Sequence, residues 1–301
     1  MVNKKVLVLG GKGFIGRHAV ASLTALGCDV TVGTRSPKND KRQDTVKVSQ
    51  PSITEEQHLL HRATTADEWL ETAQQYDAVL NCVGILRQRI GESYEAVHHL
   101  APMAIAAACQ RAGTRFVHVS ALGLSANAKS RFLSSKHRGE EAISSSGSDW
   151  IIAKISLLDG EGGYGATWLR GVAKLPLFII PTSAKGKIAA LTADDAGMAL
   201  SQLCVGSEQT LQLAENRVFE LGGEQPLGFE AYIRGLRLRH TDKRAWCVPI
   251  PGTLARLGAH ICDVLHFSPF SFGHWELLCR DNIPKPNRLK ELLGREPTRV
   301  V

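Results

Sequence analysis

Gly10, Gly13 and Gly16 stand three residues apart in the segment Gly10-Gly11-Lys12-Gly13-Phe14-Ile15-Gly16. Glycines at this spacing let a chain turn sharply, bring backbone N–H groups close to a pyrophosphate, and pack the following helix tightly on its strand. The phosphate would then meet the positive end of that helix. The context fits, because the apolar run Lys5–Leu9 reads as a buried strand and Ile15, Ala19, Leu23 and Leu26 recur at helical spacing. All seven residues of the turn, Phe14 and Ile15 included, are therefore candidate dinucleotide ligands. A site selective for NAD(H) ends its second strand on an acidic residue that holds the ribose 2′-hydroxyl. Here that strand ends Val32-Gly33-Thr34-Arg35, with no carboxylate. Arg35 suits a 2′-phosphate, with Thr34 beside it and Lys12 as a second nearby charge. The expected cofactor is NADP(H) rather than NAD(H).

With those residues in place, the chain resembles the short-chain dehydrogenase/reductase superfamily in its extended or atypical branch. The matching parts are the glycine turn, Asn81-Cys82-Val83-Gly84, Val119-Ser120-Ala121-Leu122-Gly123 and Lys136. Within that branch it is similar to the group containing the NADPH-binding accessory subunit of respiratory complex I and related bacterial proteins. The resemblance covers about the first two hundred residues well and continues more weakly to the end. It implies that Asn81, Cys82, Val83 and Gly84 line the cofactor, that Ser120 polarises a substrate carbonyl, and that Lys136 holds the nicotinamide ribose. It also implies a catalytic tyrosine four residues before the lysine, on the same helical face. This chain has Phe132 there, in Arg131-Phe132-Leu133-Ser134-Ser135-Lys136. A phenyl ring has no proton to give, and losing a positioned acid or base costs ~10²–10⁴ in rate.

Two readings follow. One is an oxidoreductase or epimerase that uses another acid, and the other is a non-catalytic NADP(H)-binding scaffold or redox sensor linked to a respiratory or quinone-related assembly. For the first, His98 and His99 follow Tyr94-Glu95-Ala96-Val97, where relatives carry an active-site asparagine, and His118 shares a strand face with Ser120. Ser120, Lys136 and His98 form the candidate catalytic set, although a structural histidine satisfied by the backbone is the more common role for each. Asp159 and Tyr164 follow the sixth strand in a glycine-rich stretch that reads as a loop.

These groups need a frame. Further strands are expected at Asp29–Val32, Ala78–Val83, Phe116–Ser120 and Trp150–Lys154. Helices are expected over Phe14–Leu26, Ala66–Gln75 (capped by Thr65), Tyr94–Ala112 and Ser134–Ser144. The third strand is open between Val46-Lys47-Val48 and His58-Leu59-Leu60. Such alternation predicts an α/β fold, a Rossmann-like doubly wound parallel sheet with a smaller, mostly helical C-terminal lobe. Residues 1–155 and 183–214 are assigned to the dinucleotide-binding domain, and 156–182 and 215–301 to a substrate or partner lobe. Ile188–Leu191 is expected to return to the sheet, Asp194 to cap the helix after it, and Val218–Leu221 to open the final segment of the lobe.

Composition narrows the partners. The formal charge is +7, spread thinly and without a basic tail, which argues against nucleic acid. A cluster from Arg234 to Arg244 followed by Trp246 could touch anionic lipid or protein, or be a solvated helix face. The apolar run from Leu254 to Trp275 could line a greasy pocket or pack in the core. Seven scattered cysteines without a CxxC pair point to free thiols. His58 and His61 lack an evident third ligand, so no metal is expected. With no signal sequence or membrane span in view, the expected location is cytoplasmic, with peripheral membrane association from that side left open. The sequence leaves the small-molecule substrate or protein partner unnamed.

Overall fold

A computed structural model describes residues 3–36, 53–147, 149–241, 243–266 and 268–301. Its centre is a seven-stranded parallel sheet. The strands are β1 (Lys5–Leu9), β2 (Asp29–Thr34), β3 (Ile53–Gln57), β4 (Ala78–Asn81), β5 (Arg115–Ala121), β6 (Trp150–Ile155) and, later in the chain, Val218–Leu221. Short strands β7 (Leu158–Asp159), β8 (Leu177–Pro181), β9 (Lys187–Ile188) and β10 (Leu191–Thr192) precede Val218–Leu221, which is β11; β12 (Leu227–Gly228) and β13 (Trp246–Ile250) follow. The sheet order is β11-β6-β5-β4-β1-β2-β3. The order reverses beside β1, and in such sheets ligands bind outside the carboxyl ends of the strands at that point.

The β1 sequence is apolar on both faces because both are covered. Val6 and Val8 pack with α1 (Phe14–Ala25) residues such as Leu23, while Leu7 and Leu9 join Trp69 of α2 (Ala66–Ala73) and Ile105 of α3 (Ala101–Ala112). α4 (Arg131–Ser144) follows β5, and α5 (Tyr164–Lys174) follows β7. α6 (Ala193–Val205) lies against α1, with Leu200 and Leu203 in the same core. α7 (Glu208–Leu211) packs on the core of the main sheet through Leu211, the smaller lobe adds α8 (Phe229–Leu238), α9 (Gly252–Leu265) and α10 (Phe272–Leu278), and α11 (Leu289–Leu293) returns to the main core through Leu289 and Leu292. Its own core joins Leu169, Phe178, Ile180, Tyr232, Ile233 and Leu236.

Several expectations shift. The third strand is Ile53–Gln57, which pairs with β2, and His58–Leu60 lies beyond its end. Val46–Val48 lies outside the described residues. Ile188 and Leu191 sit in two-stranded pairings with Leu227 and Leu158 rather than in the main sheet. Val218–Leu221, by contrast, pairs with β6 and extends that sheet. Thr192, not Asp194, caps α6, its Oγ1 accepting the Asp195 N–H at 3.1 Å. Of the glycine-rich stretch expected as a loop, Tyr164 and Gly165 open α5. The helix before β5 begins as a π-helical segment, Glu95–Leu100. Such an insertion rotates the side chains on either side of it relative to a regular helix. The Thr65 cap is present as a reciprocal capping box with Glu68.

Candidate functional site

The glycine turn closes the carboxyl end of β1. Gly10 adopts φ +74°, in the left-handed region that favours glycine. A Cβ on Gly16 would collide with the Gly10 carbonyl oxygen, so α1 can approach the strand only with glycine there. The Gly13 N–H donates to Gly10 O at 2.8 Å, and Gly13 caps α1. The helix therefore starts at the turn with its first amides unpaired along the axis. Phe14 points away from this opening, and its ring fills the space a Cβ would need on Gly160 or Gly163.

A cleft of about 310 Å³ opens over this turn. Of the residues singled out from sequence, Gly10, Lys12, Gly13, Thr34, Arg35, Cys82, Val83 and Gly84 line it. Gly11, Ile15, Gly16 and Asn81 are not among its lining residues. Asn81 is fully buried, its Oδ1 accepting the Val83 N–H at 3.0 Å and its Nδ2 donating to His118 Nδ1 at 3.2 Å. The cleft also takes in Gly33, Leu60, His61, Ile85 and Glu92, which the sequence did not suggest. A Cβ at position 33 would come 2.7 Å from Leu9 Cδ2, so a larger residue there would force the Leu9 side chain to shift.

Both cations at the mouth have carboxylate partners. Arg35 lies 2.8 Å from Glu92, and Lys12 lies 2.7 Å from Glu55 on β3. His61 is 3.9 Å from the same Glu92 carboxylate. The expected positive mouth is thus a pair of ion pairs. Arg35 remains 63% exposed, whereas Glu92 is 13% exposed.

Lys136 and His98 are not among the cleft-lining residues and meet beside Gly84. The Lys136 Nζ and His98 Nε2 would each sit 3.8 Å from a Cβ placed on Gly84. Burial pulls the Lys136 ammonium below its ordinary pKa, while Glu140 one turn later opposes the shift. His98 is buried and engaged at both nitrogens. Nε2 accepts the Ile85 N–H at 3.0 Å, which places the proton on Nδ1, 3.1 Å from Ser135 Oγ. Burial, then the Lys136 charge, holds its pKa well below 6.5. His118 is lowered to about 3, by burial first and Lys136 second. Both imidazoles are neutral near pH 7. The Ser120 hydroxyl is buried without a hydrogen-bond partner.

The Phe132 ring lies among aromatic neighbours. Its centroid is 5.5 Å from His98, 5.8 Å from Tyr94 and 6.1 Å from His274 of α10. Ser271 Oγ takes the His274 backbone N–H at 3.2 Å and lies 2.6 Å from its Nδ1. His274 was invisible as a candidate because 142 residues separate it from Phe132. His99 pairs with Glu95 at 2.7 Å, and Asp159 is held by Arg170 at 2.8 Å. His58 stacks on Trp69, and no group of three potential metal ligands occurs among the described residues.

The sheet, its reversal at β1 and the glycine cradle define the class of α/β proteins that bind dinucleotides. Residues 6–155 match the NAD dependent epimerase/dehydratase family, and the chain belongs to that family. It is 30% identical to mouse (Mus musculus) NADH dehydrogenase [ubiquinone] 1 alpha subcomplex subunit 9 over 155 residues, 51% of this chain and 40% of the relative. It is 25% identical to a ceramide reductase of Caulobacter vibrioides over 201 residues, 66% of this chain and 60% of the relative. The chain thus aligns with about half the length of these curated relatives. Among solved structures, an Escherichia coli NADPH-dependent quinone oxidoreductase complexed with NADPH has a TM-score of 0.70 at 15% identity, covering 98% of this chain and 96% of that one. A UDP-glucose 4-epimerase of Thermotoga maritima has a TM-score of 0.62 at 16% identity, covering 98% and 94%. These likenesses establish a shared fold. Among the described residues, no helix is long and apolar enough to cross a membrane.

Proposed function

We propose that the chain binds NADP(H) in the cleft between the glycine turn and Lys136, and holds it without the tyrosine proton transfer of its family. The carrying observation is Phe132, one helical turn before Lys136 and ringed by Tyr94, His98 and His274. The cradle suits a dinucleotide: amides at the start of α1 meet the pyrophosphate, and Lys136 takes ribose hydroxyls near Gly84. Arg35 swings from Glu92 toward a 2′-phosphate, which its exposure permits. When bound, the nicotinamide supplies a hydride donor or acceptor. Ser120 offers an unpartnered hydroxyl to a ligand oxygen, but His98 and His118 are neutral and already hydrogen-bonded, so neither replaces the missing acid. The role is that of a cofactor-holding scaffold or redox sensor, and its partner is a respiratory or quinone-linked assembly, in keeping with the mouse relative.

A second reading rests on His274. In the tautomer in which the Ser271 hydroxyl donates to Nδ1, the ring proton sits on Nε2. That N–H would polarise a carbonyl in an active oxidoreductase or epimerase. Incubation with NADPH and a panel of small carbonyls and quinones separates the two. The scaffold reading expects bound cofactor to persist unoxidised. Turnover that vanishes in His274→Ala would replace it with the second.

A further inference from the structure

The C-terminal lobe turns an apolar face to solvent. β8 and β13 form a two-stranded parallel sheet whose register sets Leu177 beside Trp246 and Ile179 beside Val248. The alternate residues Phe178 and Ile180 enter the core of the lobe, so these four face outward. Trp246 is 80% exposed, and Leu177, Ile179 and Val248 are exposed as well.

The face continues onto α9. The Thr182 N–H, just past β8, donates to Ile250 O at 2.9 Å, and Pro251 then starts the helix. A Cβ on Gly252 would come 2.8 Å from the Ser183 side chain, so helix and sheet end abut. Leu254, Leu257, Ile261, Val264 and Leu265 are all exposed. At 100° per residue they fall within an arc of roughly 100°, the width of an apolar stripe that ordinarily faces a core. Here the small residues Ala255, Ala259 and Cys262 are the buried ones instead. Single exposed hydrophobics need no explanation, but a contiguous face does.

Charge identifies the occupant. Residues 162–193 and 243–262 contain neither Asp nor Glu, in a chain of net charge +7. Exposed Lys174, Lys243 and Arg244 precede the two strands at one end of the small sheet, and exposed Lys185 follows β8 at the other. Apolar side chains with an indole among them, rimmed by cations, match an anionic bilayer: the stripe enters the acyl boundary and the cations meet headgroups.

We infer that the β8–β13–α9 face docks the protein peripherally on an anionic lipid surface. The inference does not depend on the cofactor reading. Its test is co-flotation of the intact chain with vesicles of phosphatidylcholine alone or with 30 mol% phosphatidylglycerol. The expected result is binding to the anionic vesicles, weakened by salt. Partitioning should fall roughly fivefold for each charge removed in Lys243→Ala and Arg244→Ala. The double variant Leu257→Asp/Ile261→Asp should lose at least tenfold while keeping its circular dichroism and thermal transition. Leu26→Ser, an exposed apolar residue elsewhere, should bind as the unaltered chain does. Brominated phosphatidylglycerol should quench a fluorescence component that disappears in Trp246→Phe. Absence of anionic vesicle binding would overturn the inference. So would undiminished binding of the folded double variant, or a dimer through this face that excludes vesicles.

Discussion

The guanidinium of Arg35 lies 2.8 Å from the carboxylate of Glu92, tying the end of β2 to a loop 57 residues further along the chain. A 2′-phosphate entering the cleft would compete with that carboxylate for the same cation. Glu92→Gln should therefore tighten NADPH binding, by roughly two- to fivefold for a pair this exposed. Arg35→Ala should weaken NADPH roughly 10–100-fold, the worth of a charged hydrogen bond, and leave NADH nearly unchanged. Fluorescence titration reads both. Weaker NADPH binding by Glu92→Gln would mean that the carboxylate holds ribose and that the site favours NAD(H).

Restoring the missing hydroxyl tests the idle proton transfer. Phe132→Tyr places a phenol one turn before Lys136, whose charge favours its ionised form. NADPH oxidation with small carbonyls should rise by ~10²-fold or more over background. An unchanged rate, with cofactor binding intact, would show that more than a proton donor is lacking.

The glycine cradle should be intolerant. Gly16→Ala drives a methyl group against the Gly10 carbonyl and should cost about 1–3 kcal/mol in stability. Thermal melts should also lose the upward shift expected of NADPH with the unaltered chain. A retained shift would mean that α1 can move off β1 without harm to the site.

Buried neutral histidines make stability depend on pH. His118 and His274 are lowered to about 3 and about 4, chiefly by burial, against about 6.5 when unfolded. Below pH 6.5 the unfolded chain binds more protons, so this stability is complete above that pH and lost as pH falls toward 4. Each histidine contributes a slope of about 1.4 kcal/mol per pH unit within that window. Denaturant melts from pH 7.5 to 4.5 should show the decline, and His118→Asn should make it shallower. An equal slope in that variant would assign the decline to other groups.

The legible parts of the site were those written locally. A strand, a turn and a helix in 22 consecutive residues announced the cradle, and the four-residue spacing of Phe132 and Lys136 survives as one face of α4. β3 was missed because Ile53-Thr54-Glu55-Glu56-Gln57 is an exposed edge strand with little apolar signal. The partners Glu55 and Glu92 were missed for a different reason: only the folded sheet and the loop after β4 bring them to Lys12 and Arg35. His274 belongs with them, because α10 packs back onto α4 from the far end of the chain. Local pattern carried the frame and the cofactor cradle, while long-range contacts set the charge balance at the mouth and the surroundings of Phe132.

The proposed occupant of this cleft is NADP(H). Parallel titrations of the purified chain with NADPH and NADH, followed by nicotinamide fluorescence, test it most directly. Saturable binding of both is expected, with NADPH the tighter ligand and its advantage removed by Arg35→Ala. Binding of neither nucleotide to the folded chain would contradict it.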